Sequence, residues 1–265
     1  PKDEGVRRIG KLMLPALFGV SVTQISLLLD TLIASFLVTG SISWLYYSDR
    51  LMEFPLGILG VGLATVSLPN LSKRHVNDST EGFSRTLDWA LRCTLLLGVP
   101  SAVGLCVLAG PMIATLFQSD VFTPHDVVMS QRSLMAYSLG LVSFMMIKVL
   151  APGYYARQDT KTPVRIGIIA LFSNMALNIA LVFPLAHAGL ALATTLSATL
   201  NATLLYKGLR REGVYQPGAG WPRLLLQVAL ASSLMAVVLF WGAGELQVWI
   251  ERGVWDRVWH LLGWV

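Results

Sequence analysis

Residues 166–206 read IGIIALFSNMALNIALVFPLAHAGLALATTLSATLNATLLY, without a single Asp, Glu, Lys or Arg. A membrane-crossing helix needs about 20 apolar residues, so this run is far too long for one crossing. It carries its own break at Phe183-Pro184-Leu185-Ala186-His187-Ala188-Gly189, a turn signal. The run therefore predicts two apolar helices back to back. Backbone exposed to lipid must satisfy its own hydrogen bonds, which forces helix. The alternating ten-residue segments of a membrane barrel are absent.

The same reading extends outward. Other stretches without formal charge are 12–29, 31–48, 54–72, 93–119, 133–147 and 224–244. The first two fuse across the single Asp30 and break at Thr39-Gly40-Ser41. The expected spans are 12–38, 51–70, 88–109, 131–151, 164–183, 188–208 and 222–242, with an eighth helix starting near 256. Residues 111–117, after Gly110-Pro111, fit a short interfacial helix. The fold class is an all-α integral membrane bundle.

Composition agrees. The 265 residues are 54% hydrophobic and 13% charged, with a mean hydropathy of +0.63. An average soluble domain carries roughly 25% charged residues. A disordered chain needs low hydrophobicity and high charge, so that class is excluded. The net charge of +5 comes from basic residues lying between apolar blocks, which speaks for membrane orientation and against nucleic acid as a partner. Cys93 and Cys106 fall on one expected helix, roughly 20 Å apart, too far for a disulfide. The chain begins at Pro1 and ends on Trp259-His260-Leu261-Leu262-Gly263-Trp264-Val265, like a helix just starting. This suggests a piece of a longer protein.

Orientation follows from Lys and Arg. Lys2, Arg7, Arg8, Lys11, Lys73, Arg74, Arg85, Arg92, Arg157, Lys161, Arg165, Lys207, Arg210, Arg211 and Arg223 all fall on one side. The opposite loops hold Arg252 and Arg257. The N-terminus is thus expected in the cytoplasm, with 71–87, 152–163 and 209–221 as cytoplasmic loops. Trp44, Tyr46, Tyr47, Trp89, Tyr154, Tyr155 and Trp221 sit at span ends and read as interfacial anchors.

The most informative cluster is Ser48-Asp49-Arg50-Leu51-Met52-Glu53-Phe54-Pro55, at the non-cytoplasmic start of the second span. Arg50 and Glu53 share a helix face. An ionisable residue in a span usually faces a bundle interior or a wet cavity. A guanidinium can grip a phosphate through two parallel hydrogen bonds. An anion-binding Arg oriented by Glu53 and a snorkelling interfacial ion pair are both open at this point. Gly60 and Ala64 form a small-xxx-small pair suited to close helix approach. Asp30 is the one acid deep in the first span; Asn174 and Asn178 lie one turn apart on the fifth, and Thr194 on the sixth. Together they could coordinate a hard monovalent cation, or Asp30 could carry a proton; interhelical hydrogen bonding is the competing reading. Arg132 and Lys148 lie near the two ends of the fourth span and can snorkel. No nucleophile pattern, phosphate loop or metal-ligand spacing occurs, so an enzyme, a cofactor and a transition-metal site are not expected.

Trp44 to Val61, WLYYSDRLMEFPLGILGV, resembles the lipid II flippase family, as does Leu68-Pro69-Asn70-Leu71-Ser72. So do Lys148 to Pro163, KVLAPGYYARQDTKTP, the run Leu14-Pro15-Ala16-Leu17-Phe18-Gly19, and Gln131-Arg132. The resemblance covers nearly the whole chain. It implies an exporter superfamily of about fourteen helices in two lobes, this chain being the C-terminal lobe from the seventh helix. It implies a transporter that moves lipid II across the bacterial inner membrane by alternating access. The partners implied are lipid II, membrane lipids and an N-terminal lobe outside this chain. Arg50 matches a cavity arginine that contacts the substrate pyrophosphate, with Glu53 and Asp49 as its acidic neighbours. Asp30, Asn174, Asn178, Leu190 by its carbonyl, and Thr194 match a sodium site of some members. Asn178 stands where an aspartate would make a stronger cation site. Sodium, a proton or the membrane potential would supply the coupling. The alternative is a related exporter of another polyprenyl-pyrophosphate-linked saccharide or of a drug.

Overall fold

The chain doubles back at Ala186. This computed structural model describes residues 21, 24–76 and 80–264. Residues 161–211 run as one helical stretch in which Ala186 alone leaves helical geometry, at φ 49° and ψ −129°. The arms on either side are antiparallel. Ser197 donates to the Ala170 carbonyl at 2.6 Å, and a Cβ on Gly189 would sit 2.2 Å from the Leu181 carbonyl oxygen. Only glycine allows that approach. The break expected over 183–189 is therefore a single-residue reversal, with Pro184 kept inside the helix.

The elements in order are α1 (Gln24–Ser35), α2 (Ser41–Pro55), a π-helical turn (Leu56–Val61), α3 (Gly62–Val76), α4 (Thr80–Val107) and α5 (Ala109–Phe117). Next come α6 (Pro124–Ser138), α7 (Leu141–Tyr155), α8 (Lys161–Arg211), α9 (Trp221–Ala243), α10 (Leu246–Glu251) and α11 (Val254–Trp264). Four helices among the described residues are long and apolar enough to cross a membrane, or five if α6 and α7 count as one bent span. The hairpin α8 supplies two arms within that count. The protein is a multi-pass membrane bundle.

Several boundaries differ from the sequence reading. The second span, expected over 51–70, starts at Ser41 and runs unbroken through the π turn to Val76. Gly40 makes this start possible. Its φ of 103° is left-handed, and a Cβ there would meet the Trp44 ring at 2.7 Å. Trp44 is thus not an interfacial anchor. It is 4% exposed, and its indole Nε1 donates to Asp126 at 2.7 Å. Pro55 has no N–H to give to the helix, and the six-residue π turn begins just after it. The span expected over 131–151 is two helices bent by 42° at Leu139-Gly140. A capping box of Thr123 and Asp126 with Pro124 starts α6 earlier than expected. The span expected over 88–109 starts at Thr80, and the 111–117 helix starts at Ala109. Helix α10 has no counterpart in the sequence reading. Most of the first half of the 12–38 span, and the basic residues Lys2, Arg7, Arg8 and Lys11 before it, lie outside the described residues.

Among the described residues Leu108, Leu239 and Ala243 form one small core cluster, and two larger clusters carry most of the core. One gathers Trp44, Leu51, Met52, Ile113, Leu134, Met145 and Trp249. The other gathers Leu71, Phe83, Leu87, Leu91, Leu150, Tyr154, Leu205 and Tyr215. Gly60, in the π turn, faces α7, where an added Cβ would lie 3.5 Å from Met145. Large apolar side chains remain exposed on α9, among them Leu226, Leu230, Leu234 and Phe240, as a lipid-facing helix requires.

Polar contacts concentrate at the two ends. At one end Trp44 meets Asp126, His187 meets the Met129 carbonyl, and Gln118 donates to Ile250. Arg257 is buried there with no carboxylate partner among the described residues. Its guanidinium donates to the carbonyls of Arg252, Ala114 and Ile250, all at 2.8 Å, and so ties α5, α10 and α11 together. At the other end Arg157 pairs with Glu212 at 2.6 Å, Ser84 meets Gln216, and Asp88 holds the 212–220 loop. The helices thus alternate in direction as the charge count requires.

Candidate functional site

Helix α2 has two faces. Trp44, Ser48, Leu51 and Met52 are buried against the bundle. Tyr46, Arg50, Glu53 and Gly57 recur at helical spacing on the other face, which is exposed in this chain. Arg50 donates from Nη1 to Glu53 Oε2 at 2.7 Å, and its guanidinium lies 4.9 Å from the Tyr46 ring centre. The side chain stays 55% exposed. The ion pair and the ring restrict the guanidinium while leaving other N–H groups free for an anion. Asp49 points differently. It is half-buried, within electrostatic reach of Arg50 and Glu53, and also of the buried Tyr137. Arg50 and Glu53 are therefore brought together, and Asp49 stands behind them. Since α2 begins at Ser41, the pair lies more than two turns inside a continuous helix, not at its entrance.

A second cluster joins α1 to both arms of the hairpin. Asn178 Nδ2 donates to Asp30 Oδ1 at 2.6 Å. Thr194 Oγ1 donates to the Leu190 carbonyl at 3.0 Å. Asn174 belongs in either orientation of its amide. In one, Oδ1 accepts from Ser26 at 3.3 Å and Nδ2 faces Thr194 Oγ1 at 3.4 Å. In the other, Nδ2 donates to Asp30 at 3.1 Å and Oδ1 accepts from the Thr194 N–H at 3.3 Å. All five residues that the sequence reading named here converge. Ser26 is an added member. It lies one helical turn before Asp30, a spacing that could have revealed it. Asn178 is fully buried, and its Oδ1 has no hydrogen-bond partner among the described residues. A buried acceptor without a donor usually marks a place for a cation or a water.

The ring of donors around Asp88 was missed by sequence reading, although Arg92 one turn on was a usable signal. Among the described residues no three His, Cys, Asp or Glu side chains gather as a metal site. Both cysteines are free.

The family model described as Lipid II flippase MurJ matches residues 1–252. The chain belongs to the MurJ family. A Vibrio cholerae protein named "Probable lipid II flippase MurJ" is 53% identical over 262 residues, covering 99% of this chain and 50% of that protein. A solved structure titled "Lipid II flippase MurJ, inward closed conformation" superposes with a TM-score of 0.79 at 28% identity, over 95% of this chain and 50% of that one. A MATE transporter crystallised with MaD3S matches with a TM-score of 0.67 at 19% identity, over 97% of this chain and 61% of that one, a likeness of fold alone. The chain spans about half the length of the curated MurJ relatives it matches. MurJ proteins are named as flippases, which are transporters and not enzymes.

Proposed function

We propose that this chain is one lobe of a lipid II flippase of the bacterial inner membrane. Its Arg50 face lines a central cavity completed by an N-terminal lobe, and its Lys- and Arg-rich end is cytoplasmic. The observation that carries the reading is Arg50 itself, held by Glu53 and Tyr46 on an otherwise apolar exposed helix face. A pyrophosphate headgroup crossing hydrocarbon alone would lose hydration worth many kcal/mol per charge. A guanidinium in a wet cavity replaces part of that hydration. Rocking of two lobes would expose the cavity to each side in turn. The membrane potential, about 2.3 kcal/mol per charge per 100 mV, favours outward movement of an anion where the inside is negative.

Asp30, Asn174, Asn178, Leu190 and Thr194 form an all-oxygen donor set that suits sodium. Asp30 would supply the charge, and the unpartnered Asn178 oxygen a ready ligand. Bound there, a cation would tie α1 to the hairpin and neutralise Asp30.

The test uses the full-length parent in cells depleted of their own flippase. Outward-accessible lipid II is quantified for wild type and Arg50→Ala at matched abundance. Restoration by wild type alone supports both the flippase and the role of Arg50. No restoration by a well-folded wild type refutes the substrate, and equal restoration refutes the role of Arg50.

A further inference from the structure

We infer that a cavity under the hairpin tip, distinct from the Arg50 face and from the Asp30 cluster, holds one anionic glycerophospholipid with its phosphate on Arg132 and an acyl chain inside. The cavity has a volume of about 770 Å³. That is within the range of roughly 300–1,000 Å³ of small-molecule sites. Its walls come from the turn between α1 and α2, the start of α2, the end of α4, α6 and the hairpin tip, and they are largely apolar, with Met129, Leu139 and Leu192 among them. Among its polar groups, the Ser41 hydroxyl is spent on the Val38 carbonyl. Arg132, His125 and His187 line it as well.

Among the described residues no carboxylate pairs with Arg132, while Asp126 lies within electrostatic reach of His125. Asp126, the acid closest in sequence, accepts from Trp44 through one oxygen and from Thr123 through the other. Arg132 is exposed and forms no ion pair among the described residues. His187 is anchored with Nε2 3.0 Å from the Met129 carbonyl, and its ring packs on Trp44 at 4.8 Å. The site therefore joins a partnerless cation to an apolar hollow at one end of the bundle. An anionic amphiphile matches both parts, and a free phosphate would leave the apolar part empty. The end in question is the non-cytoplasmic one by the charge count, so the lipid would come from the outer leaflet. Seated there, it would brace the tip at Ala186, where the backbone is held at positive φ.

The test is independent of flipping activity, so its failure leaves the flippase reading standing. Full-length protein is placed in phosphatidylcholine nanodiscs containing a trace of phosphatidylglycerol with a photoactivatable acyl chain, or the same probe on phosphatidylcholine. Cross-linked residues are located by mass spectrometry. The expected result is labelling at Met129 and Leu192 that favours the anionic probe by about tenfold, the size of one charge-assisted hydrogen bond. Arg132→Gln should reduce it to the phosphatidylcholine level, and Ala136→Phe, which fills the hollow, should suppress both probes. Labelling of lipid-facing Leu230 and Leu234 should not change, which also reports intact folding. Equal labelling by the two probes overturns the proposal, as does cavity labelling no stronger than that of Leu230. Displacement of the probe by undecaprenyl pyrophosphate would assign the cavity to the transported lipid instead. Should both variants misfold, the wild-type preference between probes decides alone.

Discussion

The phenol of Tyr215 donates to Asp88 Oδ1 at 2.8 Å, joining two residues 127 positions apart. The same oxygen accepts from Trp221 Nε1 at 2.8 Å and the Gly218 N–H at 3.1 Å. Asp88 Oδ2 accepts from Arg92 Nε at 2.7 Å, and Arg92 in turn donates to the Ala219 carbonyl at 2.7 Å. Burial, and then the adjacent carboxylate, push the Tyr215 phenol far above its ordinary range, so it stays a donor at any working pH. The carboxylate thus fastens the 212–220 loop to α4. Asp88→Ala leaves four donors, the Tyr215 hydroxyl, Trp221 Nε1, the Gly218 N–H and Arg92 Nε, without this acceptor and should cost about 3 kcal/mol. Tyr215→Phe should cost about 1 kcal/mol. Thermal unfolding of the full-length protein in detergent checks both, and trypsin should cut sooner at Arg210 and Arg211 in Asp88→Ala. An unchanged melting temperature in both variants would remove the clamp from the account.

Gly189 decides whether the hairpin can close. An alanine there places its Cβ 2.2 Å from the Leu181 carbonyl oxygen, and backbone cannot retreat as a flexible side chain does. Gly189→Ala should destabilise by more than about 3 kcal/mol and lower the yield of folded protein. Gly167→Ala, where an added Cβ meets nothing within 4 Å, is the control and should be neutral or slightly stabilising.

Asp159 gives a pH dependence outside the spans. Burial works against its charge, but the Thr162 side chain and N–H, the Lys161 N–H and nearby Arg157 outweigh it, so its carboxyl lies below the usual carboxylate range. The folded form thus holds its proton less tightly than the unfolded chain. The stability it contributes is complete above the unfolded value, near 4, and is lost as pH falls towards the lower folded value. Unfolding measured between pH 3 and 6 should show this acid-side loss, and Asp159→Asn should flatten it. The same slope in both proteins would place the titration elsewhere.

The cation reading predicts that sodium raises the melting temperature of the full-length protein and that equimolar choline does not. Asp30→Asn should abolish the effect. Asn178→Asp adds a second carboxylate and should lower the sodium concentration needed by roughly tenfold, or about 1.4 kcal/mol. Equal stabilisation of wild type and Asp30→Asn by sodium would rule the site out.

Much of this was legible because apolar length and charge alternation are properties of single segments. The charge-free run 166–206 demanded two helices, and Arg50 and Glu53 share a face through helical spacing alone. Boundaries were less legible. The start of α2 depends on Gly40 turning left-handed and on Trp44 reaching Asp126, a residue 82 positions away. Trp44 reads as an anchor by its neighbours, and becomes core through α6.

Taken alone, the sequence determined the membrane class, the alternation of helix ends and the Arg50–Glu53 pair, because each follows from hydrophobicity, charge or the 3.6-residue period. Tertiary structure alone decided that α1 meets both hairpin arms, so that Asp30, Asn178 and Thr194 share one small volume. It also decided that Asp88 and Arg257 are buried among donors and carbonyls from distant segments. Those outcomes rest on satisfying buried polar groups with partners far along the chain, and no local spacing records which partner packing will deliver.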